Sequence, residues 1–380
     1  MSFITNIRSV AKYESKILVR SWFFRIFTLL AVVFLGFFNF AMMLMEDNFG
    51  LWFAKSVSSN IPYLNLLLLN TGQAVVAVFL SSEFLKRDKK LDTSEVFYVR
   101  PLSNAEYVIG KIWGNLRVFL LLNLLVLAIV LAFNFMASGV TVDLPAYLVY
   151  FFLISIPTLI FIIGLSIFLM LVLRNQALTF ILLLGYIGLT LFYIQDKFYY
   201  LFDYMVYNLP LFKSTIVGFS NLELILNHRA IYFFAGLGFI FFTIFLFKRL
   251  PNARRSHYPW LFLSLCMFLL AGTAGYRHVR SILREGEIRA LYTSINNKYV
   301  HEPKIAIDWY DISVEQKPET MQIISDAFLE AYGEKYRPAQ IYQYGTARYE
   351  LQSLEQIKKE IPQKEQAVEE TVQYTAVEQA

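Results

Sequence analysis

The chain has 380 residues, of which 57% are hydrophobic and only 17% are charged, and its mean hydropathy is +0.49. These values exclude an ordinary soluble domain and indicate an all-α polytopic membrane protein. The net charge is +5, but the Lys and Arg residues lie between apolar runs, where they orient a membrane protein, so we expect no nucleic-acid partner. The single cysteine, Cys266, has no second cysteine with which to form an intrachain disulfide.

Residues 1–20 are too polar to span a membrane, and their pattern predicts an amphipathic helix. Apolar residues fall on one side at helical spacing, and basic residues recur every four positions on the other side. The apolar side carries Phe3, Ile7, Val10 and Ile17, and the basic side carries Arg8, Lys12, Lys16 and Arg20. We expect this helix to lie along the cytoplasmic membrane surface, with its basic side chains on anionic lipid.

The next part of the chain, residues 21–250, predicts a six-span core, and residues 259–276 are just long enough for a seventh span across a bilayer of about 30 Å. The six core spans are expected at residues 22–45, 63–82, 112–135, 147–173, 177–194 and 231–247. Pro157 removes one backbone hydrogen bond and should kink the fourth span. Gly110 and Gly114 form a GxxxG pattern, which favours close helix packing in lipid.

Two connections between the spans are unusual. Residues 83–111 form the longest charged island in the first 276 residues, and the charges alternate in sign, which is typical of a solvated surface that meets another protein. Its candidate docking residues are Glu83, Lys86, Arg87, Asp88, Lys90, Asp92, Glu95 and Arg100. The other interpretation is a solvated loop that only follows the charge rule for membrane topology. Residues 195–230 mix aromatic residues with scattered charges and predict a re-entrant segment at the outer interface.

The distribution of Lys and Arg predicts the topology. The amino-terminal helix, the island, Arg174 and the turn at 248–255 are basic, whereas the connections at 46–62 and 136–146 carry one Lys between them. The amino terminus and the island are therefore expected in the cytoplasm. Seven spans then put the carboxyl-terminal tail outside, although a group of arginines after the seventh span argues against that side. These arginines are Arg277, Arg280, Arg284 and Arg289.

The tail, residues 277–380, has a soluble composition and is expected to be an extramembrane segment, disordered in part. Residues 304–315 alternate apolar and polar positions, as a half-buried strand does. From residue 352 onward the sequence is rich in Glu, Gln and Lys, which favours disorder. One strand cannot form a domain, so the tail is interpreted as the start of a domain that another chain completes or that stays incomplete.

No pattern in the chain predicts catalysis, a cofactor or a metal site. The run from His301 to Ile305 begins like the zinc motif HExxH, but it lacks the second histidine and contains Pro303, which would break the helix of such a site. Gly110-Lys111 lacks the other residues of a phosphate loop. No ionisable residue lies in the middle of any expected span, so ion-driven transport has no coupling group and energy should come from outside the bilayer.

The order of amphipathic helix, two spans, charged loop, three spans, re-entrant segment and sixth span resembles the ABC-2 type permease, the membrane subunit of bacterial ATP-binding cassette exporters. The stretches FLKRDKKLDTSEVFYVRPLSNAEYVIGK and LRNQALTFILLLGYIG are similar to the permease part of Bacteroidota-like proteins in which such a permease is joined to a zinc aminopeptidase-like domain. The resemblance covers about residues 1–276. No peptidase motif is present here, so peptidase activity is not carried over.

The resemblance implies a fold, a location and a mechanism. The chain would lie in the bacterial cytoplasmic membrane, and residues 83–100 would dock a separate ATP-binding subunit, which binds the ATP. A second permease, either the same chain or a paralogue, would complete the exporter. Two other classes stay open: a membrane anchor or assembly scaffold, and a membrane-embedded enzyme, which would need polar catalytic residues at the depth of the spans.

Overall fold

The computed structural model of the chain describes residues 3–44, 59–82, 102–136, 142–194, 197–207, 209, 211, 213, 218, 219, 221–247 and 258–299, together with four strands between 309 and 344. The chain divides into two compact units, residues 1–284 and residues 285–380, each with its own architecture.

The first unit is helical. Its described helices are α1 (Phe3–Arg20), α2 (Trp22–Leu44), α3 (Asn60–Ser82), α4 (Asn104–Met136), α5 (Leu144–Tyr150), α6 (Ile156–Leu173), α7 (Gln176–Phe192), α8 (Leu222–Leu246) and α9 (Tyr258–Tyr299), the last of which runs on into the second unit. Six helical stretches are long and apolar enough to cross a membrane: α2, α3, α4, α5 with α6, α8 and α9. The apolar α7, with 17 residues, is at the short limit for a span. The first unit is therefore a multi-pass membrane bundle.

Pro157 disturbs the helix in which it lies, as the sequence predicts. One turn of π-helix, Phe151–Ser155, separates α5 from α6, and Pro157 follows in the first turn of α6. Because proline has no N–H, it cannot donate to the carbonyl of Leu153 four residues earlier. The π-helical turn is a known way for a helix to absorb such a break. The carbonyl of Leu153 is consequently open to a donor from another helix.

Two helices begin earlier than their apolar composition suggests. Residues 104–111, expected in the charged loop, form the first two turns of α4. Residues 222–230, expected in the re-entrant segment, form the start of α8. Both corrections have one cause: tertiary contacts bury the charged residues of these turns, so the helix extends beyond the purely apolar run.

The centre of the bundle lies between α3, α4, α6 and α8, which contribute the fully buried side chains Leu66, Phe119, Ile162 and Ile244. At the crossing of α6 and α8, Gly164 faces Gly236. A Cβ atom on Gly164 would lie 2.6 Å from the Gly236 carbonyl oxygen, and one on Gly236 would lie 2.7 Å from the Phe161 backbone nitrogen. Only glycine permits this approach, so the two helices pack backbone against backbone.

Contacts between the connections define two ends of the bundle. At the end that carries α1, which we call the near end, the side chain of Asn104 donates to the carbonyl of Phe247, 2.8 Å away. At the opposite end, the far end, the carboxylate of Asp143 pairs with Lys213 at 2.5 Å, and the hydroxyl of Ser59 donates to the Lys213 carbonyl at 2.8 Å.

The second unit contains four described strands: β1 (Trp309–Gln316), β2 (Met321–Ala331), β3 (Glu334–Tyr336) and β4 (Ala339–Tyr344). They form one antiparallel sheet in which β2 pairs with each of the others, with Ile312 opposite Ser325 and Ile324 opposite Ile341. The strand expected at 304–315 is confirmed over 309–316. The all-α architecture thus holds for the bundle and not for the tail. Residues from 352 onward lie outside the described part.

Candidate functional site

At the near end, α1 lies along the first half of α4 and packs against its two glycines. A Cβ atom on Gly114 would lie 2.7 Å from the Cβ of Glu14 and 2.8 Å from the Ala11 carbonyl oxygen, and one on Gly110 would lie 2.7 Å from the Cβ of Val10. The close packing predicted from the GxxxG pattern is confirmed, and the partner of α4 at these glycines is α1.

A buried ion pair lies in this same interface. The Lys111 Nζ atom is 3.1 Å from the Glu14 carboxylate, and both side chains are at most 3% exposed. Lys111 also lies over the ring of Tyr107, 5.0 Å from its centroid. Removal of either partner of such a buried pair is destabilising, because the other then loses its nearby counter-charge.

Neutral and charged hydrogen bonds extend the contact along the helix. The Asn6 amide donates to Glu106 at 2.9 Å, and the Ser15 hydroxyl donates to the Gly114 carbonyl at 2.7 Å. Ser15 also accepts from the Arg117 guanidinium at 2.6 Å. The side of α1 that is buried carries small and polar residues, and it lies next to the predicted apolar side rather than on it. It consists of Asn6, Ala11, Glu14, Ser15 and Leu18.

Helix α4 begins with a reciprocal cap within the last part of the charged island. The Glu106 backbone N–H donates to the Ser103 hydroxyl at 3.1 Å, and the Ser103 N–H donates to the Glu106 carboxylate at 2.6 Å. This capping box fixes the direction in which the chain enters the helix. Tyr107 stacks on Phe247 with ring centroids 5.5 Å apart, which ties the end of α8 to the same place.

The sequence-predicted site residues fall into two groups. The docking candidates all lie outside the described residues, and so their arrangement stays a prediction: Glu83, Lys86, Arg87, Asp88, Lys90, Asp92, Glu95 and Arg100. The basic stripe of α1 lies within the described part, and Arg8, Lys12, Lys16 and Arg20 are all exposed. This exposure leaves them available for lipid, but contact with lipid itself stays a prediction.

The middle of the bundle contains a network of amides. The Asn123 side chain donates to Gln73 at 2.8 Å and accepts from the Ser155 hydroxyl at 2.8 Å, and Asn70 donates to Asn123 at 3.2 Å. Nearby, Asn39 donates to Asn65 at 2.7 Å. All of these side chains are buried. Because the groups bond one another, the network joins helices rather than presenting free donors to a ligand.

At the far end, residues 197–207 form a segment of irregular backbone that enters the bundle; we call it the far-end segment. Phe198, Tyr199 and Tyr200 have φ angles of 52°, 58° and 62°, a left-handed conformation that is unfavourable for side chains with a Cβ atom. Tyr204 and Val206 are fully buried. Irregular backbone inside a membrane bundle requires partners for its polar groups.

Side chains from the helices supply those partners. The His278 and His228 Nε2 atoms donate to the carbonyls of Tyr199 and Tyr200, at 2.9 Å and 3.0 Å respectively. The hydroxyl of Tyr232 donates to the next carbonyl, that of Leu201. The strained turn is therefore held by three consecutive hydrogen bonds from α8 and α9.

Arg229 of α8 makes the most extensive of these attachments. Its guanidinium donates to the carbonyls of Leu153 at 2.6 Å, Ile154 at 3.3 Å and Tyr204 at 2.9 Å, and to the Thr158 hydroxyl at 2.8 Å. Arg229 is only 2% exposed. It thus donates to the carbonyl that Pro157 leaves open and, with the same group, to the far-end segment.

The electrostatics around Arg229 involve several buried polar groups. Asp203, in the far-end segment, is close enough to interact with Arg229, and the His228 and His278 rings are 4.9 Å apart between centroids. Burial raises the pKa of the Tyr204 phenol well above its usual value, and the neighbouring Tyr186 and Asp203 raise it further. The Tyr204 hydroxyl is therefore neutral at physiological pH.

These residues correct one expectation from the sequence. His228 and Arg229 lie inside α8, where no ionisable group was expected, because the span was placed at 231–247. The absence of ionisable groups within the helix is therefore no longer an argument against ion-coupled transport. A signal was present in the sequence: an Arg two residues before the apolar run expected at 231–247, together with a Pro inside another span that leaves a carbonyl without its helical donor. Their pairing could not be read without the tertiary fold.

No group of three or more potential metal ligands occurs among the described residues. No family model matches the chain, and the comparison with curated proteins finds no match either.

Proposed function

We propose that this chain is the membrane permease of an ATP-driven exporter, coupled to a separate ATP-binding subunit through the charged island. The observation that carries the proposal is the clamp between α1 and α4 at the near end. The Glu14–Lys111 pair and the Ser15–Gly114 hydrogen bond tie these two helices together, and α4 begins at Asn104, four residues after the last docking candidate, Arg100. A force applied to the island would therefore move α4 and α1 together.

The same clamp reaches a second part of the bundle. Asn104 and Tyr107, in the first turn of α4, contact Phe247 at the end of α8, and α8 packs backbone against backbone with α6 at Gly236 and Gly164. A displacement that begins at the island would be passed through α4 to α8 and α6. This is what an exporter whose motor lies outside the membrane requires, and the resemblance of residues 1–276 to ABC-2 type permeases supports the same mechanism.

The test uses charge reversal in the island. Arg87→Glu together with Lys90→Glu should leave membrane insertion and elution as a folded particle unchanged, because we place the island outside the bilayer. The same variant should lose co-purification with the ATP-binding subunit, since unmatched charges at a complementary surface cost several kcal/mol. The chain is isolated from its native membrane by an affinity tag, and bound ATPases are identified by mass spectrometry.

A matched control reverses two exposed arginines of α9, with Arg280→Glu and Arg284→Glu. This variant changes the net charge by the same amount and should keep the ATPase bound. If the island variant also keeps an identified ATPase bound and fully active in transport, the island is no coupling surface, and the anchor or scaffold class becomes the better interpretation.

A second candidate function is an ion-coupled carrier, and it is favoured by the buried His228, Arg229 and Asp203. Ionisable residues at membrane depth are common in proton pathways. This candidate predicts that no ATPase co-purifies and that uptake into vesicles follows an imposed proton gradient, without need for ATP. Transport that requires ATP and continues in the presence of a proton ionophore indicates the ATP-driven exporter. Transport that the ionophore abolishes indicates the ion-coupled carrier.

A further inference from the structure

The far-end segment is attached to the bundle mainly by side chains of other elements. Its own backbone bonds are local turns, such as the Leu201 N–H donating to the Phe198 carbonyl. The carbonyl of Tyr204, at its most buried point, accepts from Arg229 at 2.9 Å and from the Thr158 hydroxyl at 3.2 Å. The position of the segment therefore depends on where α6 and α8 hold those two donors.

Arg229 connects two places that lack regular backbone pairing. One is the helix break, where Pro157 provides no N–H for the Leu153 carbonyl. The other is the far-end segment at Tyr204. A planar guanidinium with five donors can serve several oxygens at once, which the single ammonium group of lysine cannot do with the same geometry.

We propose that Arg229 is the latch that holds the far-end segment inside the bundle, and that release of this latch opens the far end. Loss of the guanidinium would remove the contact to Tyr204 and to the helix break together. With the guanidinium gone from Tyr204, fewer donors would hold the far-end segment, so the left-handed turn at 198–200 would relax more readily from its unfavourable conformation. The opening step rests on the transport function proposed above, whereas the latch itself does not.

The experiment measures how often the segment leaves the bundle, in the purified full-length chain without any ATPase. In a Cys266→Ser background, Met205→Cys places a thiol at a position that is 2% exposed. Its rate of reaction with a soluble maleimide reports opening of the segment. Tyr207→Cys, at a position that is 42% exposed, reports labelling that needs no opening.

With Arg229→Met, the Met205→Cys thiol should react about ten-fold faster or more, because hydrogen bonds from a charged donor are lost. Labelling at Tyr207→Cys should not change. If Arg229→Met cannot be purified as a folded particle, Thr158→Val removes the milder donor to the same carbonyl and should give a rise of about two-fold or more. An unchanged rate in the variant that is measured overturns the latch.

A second arm separates the latch from mere repair of the helix break. Pro157→Ala restores a backbone N–H for the Leu153 carbonyl. Combined with Arg229→Met, it should leave the fast labelling in place, because the Tyr204 carbonyl still lacks the guanidinium donor and keeps only the weaker Thr158 contact. Full return to the slow rate would show that Arg229 acts only on the helix break and would overturn the proposal.

Addition of the ATPase and ATP to the chain with Arg229 intact should raise the rate of labelling at Met205→Cys. An unchanged rate there would count against the opening step alone.

Discussion

Two buried cations in this bundle are compensated in different ways. Lys111 pairs with a carboxylate, Glu14, from another helix. Arg229 instead donates mostly to backbone carbonyls, which carry partial charges, together with one hydroxyl. The choice follows the chemistry of each side chain: an ammonium is a compact charge that suits one anion, whereas a guanidinium can satisfy several neutral acceptors. Removal of Lys111 should therefore lower the stability of the chain, and simultaneous neutralisation of Glu14 should restore most of it.

Lys111→Met should destabilise the chain by about 3–5 kcal/mol, because the Glu14 carboxylate loses its buried cation. Lys111→Met combined with Glu14→Gln should recover most of the loss, since the buried carboxylate that lost its counter-charge is then removed as well. The midpoint of thermal unfolding, measured in detergent by size-exclusion chromatography after heating, gives the comparison.

Lys12→Met is the matched control, because Lys12 lies on the exposed side of α1 and its replacement should change stability little. If the single Lys111 variant is as stable as this control, or if the double variant is the least stable of all, the ion pair does not hold α1 on α4.

At the level of single residues, the roles of the two glycines and the proline could be predicted from the sequence, but the positions of the buried charges could not. Gly110 and Gly114 could be recognised from their spacing, and Pro157 from its chemistry. Lys111 and Arg229 could not be placed, because a window of hydropathy treats a charge as the edge of a span. Their partners, Glu14 and the Leu153 carbonyl, come from other parts of the chain, and no local pattern indicates such a pairing.

At the level of the helices, the packing of α6 on α8 depends on the glycine at position 236. Gly236→Ala should destabilise the chain by about 1–3 kcal/mol, because the new methyl group would meet backbone atoms at 2.7–2.8 Å that cannot move aside easily. The loss should be measured as a lower midpoint of thermal unfolding and a lower yield of monodisperse protein.

Gly185→Ala in α7 is the control, since nothing lies within 4 Å of a Cβ atom at that position. It should be neutral or slightly stabilising, because alanine favours a helix more than glycine does. Equal behaviour of the two variants would mean that α6 and α8 are not in backbone contact.

The elements themselves were predictable where the apolar run and the helix coincide. Helices α2, α3 and α7, and the continuous stretch of α5 and α6, begin and end within a few residues of the expected spans, and the turn at Arg174 and Asn175 is in its expected place. Helix α4 could have been extended from the sequence, since Ser103 and Glu106 have the spacing of a capping box. The early start of α8 depends on burial of Arg229 and left no such local signal.

The whole bundle combines a clamp at the near end, an amide network in the middle and a latch at the far end. Helix α8 takes part at both ends, through Phe247 and through Arg229. This continuity gives a physical route by which a motor at one side of a membrane could act on the other side, because a helix transmits displacement along its axis. The route has a function only if the two ends face opposite compartments.

The topology can be tested with single cysteines in a Cys266→Ser background. There are seven proposed crossings, and an odd number requires that α1 and the tail lie on opposite sides. The crossings are made by α2, α3, α4, α5 with α6, α7, α8 and α9.

Ser9→Cys in α1 should react with an impermeant maleimide only after the membrane is permeabilised, because basic connections stay in the cytoplasm. Ser313→Cys in β1, and Tyr207→Cys in the far-end segment, should react from outside in intact cells, while Ser94→Cys in the island should behave like Ser9→Cys. Reaction of Ser313→Cys from the same side as Ser9→Cys would mean an even number of crossings, in which case the short α7 or the basic-flanked α9 does not span. If Tyr207→Cys also reacted from the side of Ser9→Cys, the near and far ends would lie on the same side of the membrane. The island could then not act on Arg229 across the membrane.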